Sequence, residues 1–322
     1  MSLIHNPQCR KINLCDDTSF LNRRSLNRII SFSEKEPLVL PLFLKWAGGK
    51  LQLIEQFKNH FPLDFRNYYE PFIGSGAVFF YLKSKLKPDK VLLSDANEEL
   101  INCFLVVRDK PSELIEVLLS HRKRHSKEYY YEVRRLESNM LDSVGKAART
   151  IYLNKTCFNG LYRVNSKGQF NVPFGDYKNP SIFDRNTLLR ASQMLRGVDL
   201  RVMTFDKVLD FAGKDDFVYF DPPYIPLSKT SSFTRYSKSD FSMEEQKQLS
   251  DVFRILDSRG CFVMLSNSDH SLTRSLYSDY EKNMIIVRAK RKINSVGSKR
   301  GPINEIVVTN YQTAMTETPN FS

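Results

Sequence analysis

Long apolar runs are missing from this chain. None approaches the roughly 20 residues that a membrane-spanning helix needs. Met1 to Asn27 is polar and irregular, without the apolar core of a secretory signal. Paired cysteines are missing too. Cys9, Cys15, Cys103, Cys157 and Cys261 are odd in number and form no CxxC pair. That argues against a disulfide framework and a zinc site, so a reducing, cytoplasmic setting is expected. Tryptophan is scarce, with Trp46 standing alone. An acidic surplus is also absent: 48 Lys and Arg face 36 Asp and Glu, for a formal net charge of +12. A balance of that size suits a polyanionic partner. The cations cluster at Arg122, Lys123, Arg124, Lys127, Arg134 and Arg135, and again at Arg288, Lys290, Arg291, Lys292, Lys299 and Arg300. Either cluster alone is equally well a solvated face.

What remains is an ordinary globular composition, 41% hydrophobic and 26% charged. Residues 1–41 lack periodicity and read as a loosely structured extension. From Phe43 the text becomes dense. A glycine turn at Gly48-Gly49 leads into Leu51, Leu53, Ile54, Phe57 and Phe61, a helical pattern. Residues 68–76 read as a strand entering a Gly74-Ser75-Gly76 turn, and a helix starts at Ala77. Lys90–Asp95 is a second strand ending in an acid, followed by an amphipathic helix over 97–108. This strand–turn–helix–strand–acid order is that of a parallel nucleotide-binding sheet. Residues 112–153 are mostly helical, and 158–180, rich in Gly, Asn, Pro and aromatics, form an ordered loop or hairpin. Strand patterns return at 200–203, Phe217–Phe220, 260–266, 284–288 and Ile303–Thr309, the last two as a hairpin. The expected layout is an extension over 1–41, a catalytic domain over 42–110 and 197–322, and a basic insert over 111–196.

The most informative motif is Asp221-Pro222-Pro223-Tyr224, directly after the apolar run Phe217–Phe220. In open α/β sheets ligands bind where strands end. Two prolines lock a stiff turn with unpaired carbonyls. A carboxylate, a bare carbonyl and an aromatic ring at one rim can hold a planar amine; the bland alternative is a Pro-Pro turn with a solvated acid. Gly74-Ser75-Gly76 allows close backbone approach to a ligand, or is only a tight turn. Asp95 can accept both hydroxyls of a ribose, or cap the next helix. The dinucleotide fingerprint is incomplete, because Gly76 is followed by Ala77, Val78 and Phe79. A ribose-bearing ligand without a pyrophosphate fits better. Trp46 and Lys50 flank a glycine turn and offer a ring edge and a carboxylate-binding cation, with core packing the alternative for Trp46.

Taken together, Phe43-Leu44-Lys45-Trp46-Ala47-Gly48-Gly49-Lys50, Glu70-Pro71-Phe72-Ile73-Gly74-Ser75-Gly76, Asp95 and Asp221-Pro222-Pro223-Tyr224 resemble the Dam-type N6-adenine DNA methyltransferases of the alpha group. Phe158-Asn159-Gly160-Leu161-Tyr162-Arg163, Gln169 to Gly175, and Tyr177-Lys178-Asn179-Pro180 resemble the target-recognition segment of the GATC-modifying branch. Phe217 to Ser228 and Leu265-Ser266-Asn267-Ser268 match as well, and the likeness spans about 43–311.

The resemblance implies an α/β S-adenosylmethionine-dependent methyltransferase fold. Its sheet would be seven-stranded and mostly parallel, with a terminal antiparallel hairpin and a helical recognition insert. It implies S-adenosyl-L-methionine as methyl donor, no metal, and double-stranded DNA as partner. Trp46, Lys50, Glu70, Phe72, Gly74, Gly76, Asp95 and Asp221 would line the donor pocket, with Lys50 near the donor carboxylate. The family's acid for the donor adenine falls here at Thr204, Phe205 and Asp206, and which of them reaches the adenine stays open. Lys45, Phe158, Asn159, Leu161, Arg163, Pro173 and Tyr177 would contact DNA, with Arg163 suited to guanine. Tyr162 receives no role. The 288–301 loop and the cluster at Arg122 are candidate phosphate contacts.

For the chemistry, Asp221 and the Pro222 carbonyl would take the two hydrogens of the adenine amine and bring out its lone pair. The methyl group would transfer directly, as a proximity effect. Pro223 completes the turn, and Tyr224 would stack on a base flipped from the duplex. Rival readings are methylation of cytosine N4, RNA or a protein glutamine, and a DNA-binding protein without catalysis. A monomer is expected, and a cognate restriction endonuclease encoded nearby stays open.

Overall fold

The computed structural model describes residues 39–224, 241–289 and 303–313. The first 38 residues of the expected extension, and 290–301 of the expected phosphate-contacting loop, lie outside the described residues.

Strand β1 (Asn67–Glu70) and strand β4 (Phe217–Phe220) are buried along their whole length. Central strands of a parallel sheet are covered on both faces, so β4 reads as an unbroken apolar run, whereas β1 buries the polar Asn67 and Glu70 at its ends. The two strands sit side by side in a seven-stranded sheet of order β3-β2-β1-β4-β5-β7-β6. Here β2 is Lys90–Asp95, β3 Asp199–Val202, β5 Phe262–Ser268, β6 Met284–Ala289 and β7 Ile303–Thr309. Strands β1 to β5 pair in parallel. β7 alone runs against its neighbours, pairing antiparallel with β5 and β6. The expected mostly parallel sheet with an antiparallel hairpin is therefore present.

The helices follow their end signals. α1 is a single turn (Ile54–Phe57) after a 3₁₀ turn at Lys50–Leu53. The helical pattern read over 51–61 thus stops early: Phe57 and Phe61 are both buried, but not on one continuous helix. α2 is Ala77–Lys85 and α3 is Glu98–Asp109. Asn97 caps α3, its side chain accepting the Leu100 N–H at 3.1 Å. α4 (Pro111–Arg124) starts on a proline, whose missing N–H is harmless there. α5 (Lys127–Arg135), α6 (Ser143–Thr156) and α7 (Arg185–Leu195) complete the 111–196 segment. Between α6 and α7, the isolated antiparallel bridges Cys157↔Phe174 and Val164↔Phe170 make a loose hairpin of the aromatic loop. α8 (Met243–Ser258) opens with a capping box between Ser242 and Glu245, and α9 is Ser271–Leu276.

Alternate residues of each strand feed two hydrophobic clusters on opposite faces of the sheet. Tyr68, Val91, Phe217 and Tyr219 join one face; Tyr69, Leu92, Val218 and Phe220 join the other. The first cluster continues without a break through α3, α6 and α7, so the helices of 111–196 share a core with the sheet. The second is closed by Leu249, Val252, Phe253 and Leu256 of α8.

The strand order fixes where a ligand can enter. From β1 the chain crosses over to β2 on one side, whereas β4 lies on the other side. The crevice at the carboxyl ends of β1 and β4 is the switch point of the sheet, where the two sets of connections part.

Candidate functional site

Glu70, at the end of β1, and Asp221, directly after β4, both face this switch point. Asp221 carries the turn. Lys50 Nζ lies 2.7 Å from Asp221 Oδ1 and 3.9 Å from Glu305 Oε2, and it donates to the Gly48 carbonyl at 2.8 Å. The three charged side chains are 4, 17 and 13% exposed for Lys50, Asp221 and Glu305. Ser266 of β5 donates to the same Asp221 oxygen at 3.0 Å and shares a 2.8 Å hydrogen bond with Tyr219. The Tyr224 hydroxyl donates to Glu305 at 2.6 Å, and the Lys50 ammonium lies 4.6 Å from the Tyr224 ring centroid.

Burial pushes the Asp221 carboxyl up from its ordinary value, and the Lys50 ammonium pulls it back. Glu305 is raised for the same first reason, with Lys50 again opposing. Glu70 stands well above its usual range, because burial outweighs the 2.8 Å hydrogen bond it accepts from Tyr68. The two prolines differ. The Pro223 carbonyl accepts from Gln246 Nε2 at 3.1 Å, and Asn267 orients that amide at 3.1 Å. Among the described residues no hydrogen bond reaches the Pro222 carbonyl.

The glycine turn lies next to this rim. Gly74 and Gly76 hold φ of +48° and +72°, which side chains disfavour. A Cβ on Gly74 would stand 3.1 Å from the Trp46 ring. Trp46 is half-buried and stacks on Tyr162 with centroids 5.2 Å apart. Asp95 is not the cap of α3, since Asn97 fills that place. Its carboxylate accepts the Asn97 N–H at 3.0 Å, and burial raises it to about 6. The end of β3 adjoins it, with Met203 N–H donating to the Asp95 carbonyl at 3.2 Å. Of the three residues left open there, Phe205 is the buried one; it stacks on Phe72 at 5.6 Å, and Phe241 meets both rings edge-on. A cation, buried acids, an acceptor suited to a diol and an aromatic cluster thus stand around a glycine cradle. That donor set fits an amino-acid group, a ribose and a nucleobase on one ligand.

The residues expected to contact DNA are placed as follows. Lys45 is exposed, with its ammonium 4.7 Å from the Tyr177 ring. The buried Asn154 holds Lys45 in place. Its Oδ1 accepts the Lys45 N–H at 2.8 Å, and its Nδ2 donates to the carbonyls of Lys45 and Gly160 at 2.6 and 3.0 Å. Phe158 and Asn159 are exposed on a short turn, where Asn159 takes φ +56°. Phe158 N–H donates to the carbonyl of Pro173, itself exposed. Leu161 is half-buried against the core. Arg163 is exposed, and its Nε donates to Asn171 Oδ1 at 2.6 Å, which fixes the plane of the guanidinium. In the basic cluster, Arg122 and Arg124 lie over Phe183 and Tyr129 at 5.0 and 4.2 Å. Arg288 is tied through its backbone to Gln56.

The structure therefore brings Lys50, Asp221 and Tyr224 together, and sets Lys45 beside Tyr177 and the turn at Phe158–Gly160. Sequence reasoning missed Glu305, Ser266, Gln246, Asn154 and Asn171. Ser266 lies inside a motif that was matched, so only its partner was unknown. Glu305 had one signal, an acid near the start of an otherwise apolar strand. Nothing in the sequence marked Asn154.

Compared with known proteins, residues 46–293 match the profile of the D12 class N6 adenine-specific DNA methyltransferases. The chain is 45% identical over 284 residues to the type II methyltransferase M1.LlaDCHI of Lactococcus lactis subsp. cremoris, covering 86% of this chain and 98% of the relative. It is 45% identical over 286 residues to the type II methyltransferase M.MjaIII of Methanocaldococcus jannaschii, covering 84% and 98%. With the DNA adenine methylase of Escherichia coli (strain K12) it shares 33% identity over 267 residues, covering 82% and 93%.

Proposed function

Given that the chain belongs to the D12 class of N6 adenine-specific DNA methyltransferases, we propose that it methylates the adenine of GATC, after that base has been flipped out of the duplex. The enzyme is an adenine-specific DNA methyltransferase that uses S-adenosyl-L-methionine. The donor supplies an electrophilic methyl group on a sulfonium. Everything else is the work of the chain's own residues.

The adenine amine is a poor nucleophile, because its lone pair is delocalised into the ring. Asp221 accepts one of its hydrogens and the Pro222 carbonyl the other, which favours a tetrahedral nitrogen with its lone pair out of the plane. The Asp221 carboxylate, held by Lys50 and Ser266 at the switch point with the Tyr224 ring beside it, is the observation that carries this reading. Pro223 is held by Gln246, so the turn stays rigid while Pro222 offers its oxygen. Tyr224 forms the floor on which the flipped base stacks. Trp46, Gly74, Gly76 and Asp95 cradle the donor, with Asp95 accepting the ribose hydroxyls. Phe72 and Phe205 form an aromatic wall beside its adenine, Glu70 faces its amino-acid end and Lys50 its carboxylate. Residues 111–196 are the recognition insert. Lys45 and Arg163 read guanines, Asn159 and Leu161 meet base edges, Phe158 packs on the stack, and Pro173 and Tyr177 flank the same site.

The GATC assignment rests on the resemblance of the 158–163 and 169–180 segments to that branch of the family. The enzyme works at the nucleoid of a bacterial cytoplasm. The type II relatives make a restriction endonuclease encoded nearby a natural companion.

Sequencing of methylated DNA from cells expressing the chain tests the reading. N6-methyladenine confined to GATC is expected. Modification at another sequence would overturn the specificity, and modification at cytosine would overturn the mechanism. Asp221→Ala should abolish transfer while leaving the fold intact; near-normal turnover in that variant would sink the assignment of Asp221.

A further inference from the structure

β7 is the one strand that runs against the rest of the sheet, so its opening residues lie at the edge where β4 and β5 end. Glu305 pairs there with Ser268 on β5 and Val287 on β6. Its Oε2 accepts the Tyr224 hydroxyl at 2.6 Å. A phenol donating to a carboxylate forms a short, charge-assisted bond, stronger than a neutral pair. The bland alternative is that Glu305 only balances the buried Lys50. The distances decide against it, because Lys50 already has Asp221 at 2.7 Å, whereas Glu305 is 3.9 Å away.

Tyr224 is therefore fixed from several sides. Its backbone follows two prolines, its ring faces the Lys50 ammonium at 4.6 Å, and its hydroxyl is anchored by Glu305. A ring beyond the end of a strand has free torsions to lose before it can serve as a platform. An anchor at its far end removes that cost in advance.

We propose that Glu305 is a positioning residue, which locks the Tyr224 ring in the attitude that receives a flipped adenine. The inference rests on the assignment of Tyr224 as the base platform. Glu305 touches neither the base nor the donor and acts through the Tyr224 hydroxyl.

The experiment is a double-mutant cycle on the full chain, read as single-turnover methyl transfer to duplex DNA. Donor affinity by calorimetry serves as the control for folding. Glu305→Ala should slow transfer roughly ten- to a hundredfold, the span of a hydrogen bond to a charged group, with little change in donor affinity. Glu305→Gln, which keeps an acceptor, should retain a larger share of the rate. Tyr224→Phe should reproduce most of the Glu305→Ala loss, and adding Glu305→Ala to it should cost much less than it does alone. Additive losses, or an unslowed Glu305→Ala, would overturn the proposal. If Glu305→Ala does not fold, Tyr224→Phe with and without Glu305→Gln makes the same comparison. Wild-type transfer by Tyr224→Ala would instead defeat the platform assignment itself, a separate result.

Discussion

The Lys50 ammonium sits 2.7 Å from the Asp221 carboxylate in a crevice where both side chains are largely buried. One cation compensates the acid that we propose holds the substrate amine. Burial raises Asp221 and Lys50 lowers it, so removing Lys50 moves the carboxyl further up. Only the ionised form offers the full acceptor, so activity falls as pH drops through that value. Lys50→Met should therefore shift the acidic limb of the rate profile upward by about 1–3 pH units. Single-turnover rates at saturating donor across pH will check this. An unmoved limb would mean that Lys50 does not serve Asp221.

Asp95 gives a second pH effect. Its carboxyl is raised to about 6 by burial, so the folded enzyme binds a proton more readily than the unfolded chain does. Stability from this group is present at low pH and is lost as pH rises through about 6. Asp95→Asn should then stabilise the donor-free enzyme at pH 7 by up to about 3 kcal/mol. The same change should weaken donor binding and flatten its decline below pH 6. Thermal unfolding and calorimetry with and without donor separate the two consequences.

Gly74→Ala should cost donor affinity. The residue holds φ +48°, and a new Cβ would stand 3.1 Å from Trp46, so the ring must yield. The strain is about 1 kcal/mol, and a further loss in binding, about tenfold or more, is expected if Trp46 lines the donor pocket. Unchanged affinity in calorimetry would take Trp46 out of that pocket.

Asn154→Ala removes a clamp that no donor or DNA residue replaces. It leaves buried backbone groups of Lys45 and Gly160 without partners. Loss of about 3 kcal/mol of stability is expected, because each unsatisfied group carries its desolvation cost. DNA affinity should fall together with stability while the donor still binds. A denaturation midpoint like that of the wild type would refute the clamp.

Arg163→Ala should cost about 1–3 kcal/mol in DNA binding and relax one base position. Asn171→Ala should relax the same position more weakly, since it only loosens the guanidinium. Binding measured against single-base variants of the site is the check. A uniform loss across all sequences would make Arg163 a phosphate contact.

Much of the fold was legible because buried parallel strands announce themselves. Lys90–Asp95, Phe217–Phe220 and Ile303–Thr309 fall where the apolar runs lie. The helix α8, Met243–Ser258, went unread, though its Ser242–Glu245 capping box is a local signal. α1 is shorter than its pattern because periodicity records which residues are buried, not whether one helix carries them. In the site, motif residues could be named because their chemistry is local: a glycine at a left-handed turn, a carboxylate before two prolines.

The sequence by itself determined the candidate acceptors, through side-chain chemistry within a short motif, and, through the resemblance of its motifs to a known family, the reaction class and the donor. It also determined that a sheet edge would carry them. Only the tertiary structure decided who faces whom. Glu305 lies far along the chain from Tyr224 and reaches it because β7 runs backwards, bringing the start of that strand to the edge where β4 ends. Asn154 joins Lys45 to the recognition loop through a helix between them in neither motif. Such pairings are set by strand direction and helix packing, and these are properties of the whole folded chain.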